Sequence, residues 1–366
     1  TTLFRSPHKN PLVQGNFEIN TATLDDTALQ VLYERINGYK DQNLKEQLFA
    51  QLKQERPDFK PQIDAKQFLQ HVAYGEQDEA EALLQKDPEL AQELLRAHNI
   101  PFTDYSGRTF TCTAYEYAWW AKDAHMLTML EKYIKSNEET RQFIFERVKA
   151  IEVPVNPPPA AGFFETSQPR GLHYTTQNEQ GQTIDHWEAH FDLTPLKQAL
   201  KAYIEAYDKS PRQTNADWEA LNKLWIKIGL PQRDVPAHLA QEYCHPNRSL
   251  DDITKNPALL DVSKPSNLER QLKLYNCETE NDDFWFTHGV DSSHSGLGVS
   301  FAIFRVGPFA AGRGGMRLGR ELLRACATVN LSALEAIDKT RTDDLTRSLE
   351  KLSQPVIVDV HPMHGV

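Results

Sequence analysis

The sequence predicts a mixed fold, mainly α, whose C-terminal half is α+β: helical hairpins followed by a hairpin-and-helix domain. Three observations lead there. Apolar residues recur at helical spacing from residue 25 to about 150. Four prolines between Pro154 and Pro159 mark a domain edge. Beyond them, segments of alternating type are interleaved with helical stripes, and no βαβ order is sustained. The expected organisation is an N-terminal arm with helices over 1–60, helical hairpins over 61–150 and an α+β domain over 151–366.

The elements follow in order. Residues 1 to 24 are polar, with Pro7 and Pro11, and read as an extended arm. Leu29, Leu32, Tyr33 and Ile36 share one helical face behind Asp25 and Asp26, and Leu44 to Gln54 follows the same logic. Pro57 and Pro61 interrupt the pattern. Gly171–Thr176 and Thr183–Phe191, separated by Asn178-Glu-Gln-Gly181, predict a β-hairpin. Thr194-Pro195 reads as a helix N-cap followed by its first residue. The next helix, Asn215–Lys227, has Trp218, Leu221, Leu224, Trp225 and Ile228 on one stripe. A short helix over Pro236–Tyr243, buried strands at Phe284-Trp-Phe and Leu297–Val306, a glycine-rich loop over Gly307–Gly319 and two helices, Glu321–Ala336 and Asp343–Leu352, complete the reading. Pro355–Val360 is a final strand or an extended tail.

Between residues 63 and 148 the helices resemble degenerate ankyrin-type hairpins. With Gly75 as the glycine between paired helices, Phe68 falls on the buried leucine of the first helix, and Leu83-Leu84 on the pair closing the second. With Thr113 opening the next repeat, Ala118 takes the small packing position, Leu127 and Leu130 belong to the second helix, and Asp123 replaces the glycine. An insertion over Glu89–Phe110, holding Asp104-Tyr-Ser-Gly107-Arg-Thr109, stretches the spacing beyond the ~33-residue ankyrin period. The resemblance implies protein binding. Tyr105, Arg108, Tyr115, Trp119 and Trp120 are the candidate partner-binding residues. Adjacent helical positions diverge by about 100°, so one of the two tryptophans is expected to point off the core as a contact anchor.

The chain has 366 residues and a formal net charge of −11, which removes a whole-chain basic footprint for nucleic acid. Its four cysteines, Cys112, Cys244, Cys277 and Cys326, are far apart, which argues against a disulfide framework or cysteine zinc site and for a reducing setting. No charged leader with an apolar stretch opens the sequence, so no signal peptide is expected, and no apolar run approaches the ~20 residues that span a bilayer. His186-Trp-Glu188-Ala-His190 superficially resembles a zinc motif. On a strand, however, four residues place the imidazoles about 13 Å apart, so no metal is assigned. No cofactor motif is present.

Two other clusters hold chemistry-bearing residues. Cys244 could act as a nucleophile with His288 or His294 as base and Asp291 orienting the imidazole, the arrangement of a cysteine- or histidine-dependent hydrolase or transferase. Arg313, Arg317 and Arg320 flank a glycine-rich turn before a helix, an anion-binding pattern that lacks the P-loop and dinucleotide motifs. The sequence leaves the question of catalysis open between these and the binding reading.

Finally, Phe68–Leu84, Thr103–Phe110 with Ala114–Ala118, Leu239-Ala-Gln-Glu-Tyr-Cys-His-Pro-Asn-Arg-Ser249, Leu297–Phe301 and Leu331–Ala336 resemble segments of Legionella effectors injected into host cells by the type IV (Dot/Icm) secretion system. The resemblance spans roughly residues 60 to 340. It implies a bacterial protein secreted into the host cytosol, where a host protein is its partner. It carries over no catalytic residues.

Overall fold

Helix-capping chemistry and apolar spacing set most of the element boundaries in the computed structural model. It describes residues 21, 23–37, 39, 41–59, 63–152, 171–178, 180–212, 214–276, 281–285, 303–306, 310–313 and 320–355. The chain divides into two compact units, Thr1–Gln67 and Phe68–Val366. In the first, α1 (Asp26–Asn37) and α2 (Gln42–Glu55) close on a small core of Leu29, Leu32, Ile36, Leu48 and Leu52. Asp41 caps α2 by accepting from the Leu44 amide.

The second unit begins within α3 (Ile63–Tyr74) and continues with α4 (Gln77–Leu84) and α5 (Pro88–Arg96). Short strands β1 (Phe102–Thr103) and β2 (Thr109–Phe110) follow, then α6 (Ala114–Ala121), α7 (Ala124–Ile134) and α8 (Glu138–Glu152). The two helical pairs have the expected hairpin form. Gly75 turns between α3 and α4 at φ +69°, the left-handed region open to glycine. In the second pair that conformation falls on Lys122 (φ +58°), one residue before the expected Asp123, which instead caps α7 through the Met126 amide. Thr113 opens α6 with a reciprocal capping box to Glu116.

After the proline-rich segment come β3 (Leu172–Gln177), β4 (Thr183–Glu188), α9 (Thr194–Lys209), α10 (Asn215–Arg233), α11 (Ala237–Cys244) and α12 (Leu250–Lys255). Then β5 (Lys273–Asn276), β6 (Asn281–Phe284), β7 (Ile303–Val306), β8 (Ala310–Arg313) and α13 (Arg320–Ser353) complete the described residues. The mainly helical, mixed fold class is as read from the sequence. The predicted β3–β4 hairpin forms with its turn at Asn178–Gln182. It extends an antiparallel sheet of order β1-β2-β3-β4, and a second sheet has order β6-β5-β8-β7.

Several expectations change: Leu193, not Thr194, is the N-cap position of α9, and the expected buried strand at Phe284 instead ends there with that ring 56% exposed. The glycine-rich loop contains a strand, β8, paired antiparallel to β7. The two C-terminal helices are one continuous helix, α13, of 34 residues and about 51 Å. No Gly or Pro lies between Ala336 and Asp343, and Arg341 is buried there with a 2.9 Å hydrogen bond to the Leu260 carbonyl. Last, the edge expected near residue 150 does not separate two units. β2 pairs with β3 across it, and α13 packs on α7 and α8 as well as on α9 and α12.

Candidate functional site

Asp104 is the centre of the turn that the sequence singled out. Its carboxylate is buried and accepts from the Ser106 and Arg108 amides, each at 3.0 Å, and from Arg108 Nε at 2.8 Å. Gly107 closes the turn at φ +85°. Arg108 then reaches out of the turn and donates to the Asp234 carbonyl at 2.8 Å. Its guanidinium lies 4.9 Å from the Trp120 ring centroid and 5.1 Å from that of Phe191. Burial works against this cation, but Asp104, Tyr117 and Tyr105 together overcome it and hold the guanidinium above its ordinary value. Tyr105 donates its hydroxyl to the Val235 carbonyl. The turn is therefore a clamp onto the junction between α10 and α11.

The aromatic residues of α6 face inward in the same way. Tyr105, Arg108, Tyr115, Trp119 and Trp120 are all at most 6% exposed. Tyr115 donates to Glu131 at 3.2 Å and Trp119 Nε1 to Glu152 at 2.7 Å. Trp120 packs among Phe110, Tyr117, Tyr174 and Phe191, with centroids 5.0 to 5.8 Å away. The expectation that these five residues form an exposed docking face, with one indole off the core, is corrected. The side of α6 that an ankyrin-type hairpin leaves open is covered here by the β3–β4 hairpin, Phe191 and α8. All eight residues of α6 are buried.

The opposite ends of the hairpins are covered too. Gln241 on α11 donates to the Gly75 carbonyl at 3.0 Å, and a Cβ on Gly75 would lie 2.7 Å from Gln241 Nε2 and 2.9 Å from Ala237 Cβ. Lys122 donates to Asp338 on α13 at 2.8 Å. Arg270 binds Asp123 through both terminal nitrogens, at 2.8 and 3.0 Å, and also donates to Gln241 at 2.9 Å and Gln77 at 2.7 Å. Burial alone would raise the Asp123 carboxyl, but Arg270 and then His238 overcome it and hold it below the usual carboxylate range.

Beside this cage lies a cleft of about 390 Å³, bordered by Gln77, Asp78, His125, Glu269, Arg270 and Gln271. Burial, reinforced by Arg341 and Arg270, pushes the His125 imidazole down to about 2. Burial likewise pushes His238 down to about 3 against the pull of Asp123. Among the described residues His125 Nε2 and His238 Nδ1 are buried without a hydrogen-bond partner, and both rings stay neutral near neutrality. Sequence reading missed this cage. Asp123 is visible as a helix cap, and His238, Gln241 and Glu242 stand out as polar residues in an apolar helix, but nothing in the spacing brings Arg270 to them.

The other candidates fare differently. Cys244 is 2% exposed within the apolar cluster that holds Tyr243 and Trp285. His288, Asp291 and His294 lie outside the described residues. Arg313 ends β8 and Arg320 opens α13, while Arg317 lies outside the described residues. His186 stacks on Tyr174, whereas His190 pairs with Glu152 at 2.9 Å, so the two imidazoles have separate surroundings. Among the described residues no group of three or more His, Cys, Asp or Glu side chains is placed to hold a metal ion, and no helix is long and apolar enough to cross a membrane.

The helices that carry this cage and clamp also match known sequences. Residues 195–352 match the model of the CBUA0006 C-terminal domain. That span runs from α9 to the end of α13 and supplies His238, Gln241, Arg270 and Asp338. No solved structure matches the chain. An uncharacterized protein of Coxiella burnetii (strain RSA 493 / Nine Mile phase I), CBUA0006, is 32% identical over 290 residues, which cover 79% of this chain and 75% of the relative. The match extends well beyond the C-terminal domain, and the chain belongs to the family of Coxiella burnetii CBUA0006.

Proposed function

We propose that this protein is a bacterial effector, delivered into the host cytosol by a Dot/Icm-type system, that acts there by binding a host protein. The observation that carries the reading is its relationship to CBUA0006, because Coxiella burnetii has a Dot/Icm system. The ankyrin-like hairpins support a binding role as a frame. Their turns and aromatic faces hold the chain together, so the contact surface lies on other, exposed elements. The alternative, a cysteine-dependent hydrolase or transferase, needs Cys244 within reach of a substrate, and that residue is 2% exposed.

The test is a translocation assay. The full chain is fused to a calmodulin-dependent adenylate cyclase and expressed in Coxiella burnetii with either an intact or an inactivated Dot/Icm system. Host cyclic AMP should rise only with the intact system. No rise, or an equal rise in both, sinks the delivery reading. Native thiol labelling mapped by mass spectrometry addresses the chemistry. Cys244 should react at least ~100-fold more slowly than in urea, and fast labelling at pH 7 would restore the enzyme alternative.

A further inference from the structure

We propose that the free edge of β4 is a docking site for an extended, lysine-bearing strand of a partner protein, which adds to the sheet as a fifth strand. This names the contact surface of the protein-binding reading above and rests on it. Among the described residues β4 is the outer strand of the order β1-β2-β3-β4, with no strand paired to its far edge, and it is six residues long. Its backbone pattern follows from the turn. The Asn178 amide donates to the Gln182 carbonyl at 3.0 Å, which makes that pair a hydrogen-bonded one. Bonded and non-bonded pairs alternate along an antiparallel ladder. The pairs Gln177–Thr183, Thr175–Asp185 and His173–Trp187 are therefore non-bonded. The N–H and C=O groups of Thr183, Asp185 and Trp187 point away from β3, toward the open edge.

Native proteins blunt such edges with very short strands, charged side chains, proline, a bulge or a cover, and the charges on β4 are the acidic Asp185 and Glu188. β4 contains no proline and no lysine, and its register to β3 runs without a bulge over all six residues. It also exposes large apolar side chains on both of its faces, Ile184 at 43% and Trp187 at 39%. Trp187 stacks on His173 with a 4.8 Å centroid distance, and His173 pairs with Asp185 at 2.8 Å, so one face is a preformed aromatic and acidic strip.

Charge selects the occupant. From Gly171 to Leu196 the sequence has no Lys or Arg, and it has four carboxylates, Glu179, Asp185, Glu188 and Asp192. A strand paired antiparallel to β4 places residues directly opposite Asp185 and Trp187 on the face those two share. A lysine there meets a carboxylate and an indole. The alternate residues share the face of Ile184, where a β-branched side chain fits. The recognised chemistry is thus an extended segment alternating lysine with apolar residues, bound through its backbone and sorted by charge.

The probe is a fluorescein-labelled decapeptide of alternating lysine and valine, titrated into the full chain and followed by anisotropy and hydrogen exchange. Binding should slow exchange in the peptide covering 182–189. A glutamate–valine decapeptide should bind at least tenfold more weakly. Methylating the lysine backbone nitrogens, which face the edge, should weaken binding at least tenfold, and methylating the valine nitrogens should not. Ile184→Lys or Trp187→Lys should weaken binding at least tenfold without lowering the Tm.

The proposal is overturned by equal affinity for the two charges, by both methylation patterns or neither abolishing binding, or by protection elsewhere. It is also overturned by a dimer in sedimentation that Ile184→Lys dissolves, since the occupant would then be a second copy. The translocation assay is independent of the edge. A delivered protein that ignores the decapeptide removes this proposal alone, whereas an undelivered one removes the reading beneath it.

Discussion

Trp120 and Trp187 sit on two regions joined by the same sheet, and they behave in opposite ways. Trp120 belongs to the densest aromatic run in the chain and is completely buried, ringed by Phe110, Tyr174 and Phe191 and capped by Arg108. Trp187 stands in a mostly polar strand and is 39% exposed, on the outer strand of the sheet among the described residues. The difference teaches that aromatic density marks where a small helical hairpin buys its core. Exposure of an aromatic is decided by what the rest of the chain lays over it.

The sharpest way to break that comparison is Arg108→Ala. It leaves the Asp104 carboxylate buried without its cation and removes the bond to the Asp234 carbonyl. Stripping one partner from a buried ion pair costs about 3–5 kcal/mol. Urea denaturation should show a loss of that size. A loss under about 1 kcal/mol would mean that the clamp is not closed in solution.

Acid should loosen the same unit next. His125 and His238 are held down to about 2 and about 3, against roughly 6.5 in the unfolded chain. The unfolded state therefore binds more protons below pH 6.5, and stability is full above that pH and falls as the pH drops toward 3. At pH 5 the expected loss is about 2 kcal/mol for each histidine. Thermal melts of wild type and His238→Gln between pH 5 and 8 check it. An unchanged slope in the variant would refute the assignment. The smallest effect belongs to the other region: Trp187→Ala should change unfolding free energy by less than about 1 kcal/mol, because its ring is already partly in water. A larger loss would show that the hairpin face is a structural contact.

Much of the architecture was legible locally. Thr113 with Glu116, Asp41 before α2, Pro195 in the first turn of α9 and the Asn178–Gln182 turn are short-range devices, and each sits where its chemistry requires. The α10 stripe is also as read, with Leu221, Trp225 and Ile228 buried. The joining of the presumed α13 pair was missed because its linking residues, Ile337 to Thr342, look polar. Only burial of Arg341 against Leu260 reveals why the helix continues. The cage was less legible still. Arg270 lies 147 residues from Asp123, and no periodicity connects positions so far apart.

Local chemistry alone thus specified the mainly helical hairpins, the β3–β4 turn and the helix caps, because these interactions close within a few residues. Which surface of the hairpins stays free was settled by long-range packing. The 171–191 hairpin and the helices α11 and α13 return across them, and removing their aromatic and polar groups from water is favourable only where Arg108, Gln241, Arg270 and Asp338 satisfy the charges and carbonyls left behind.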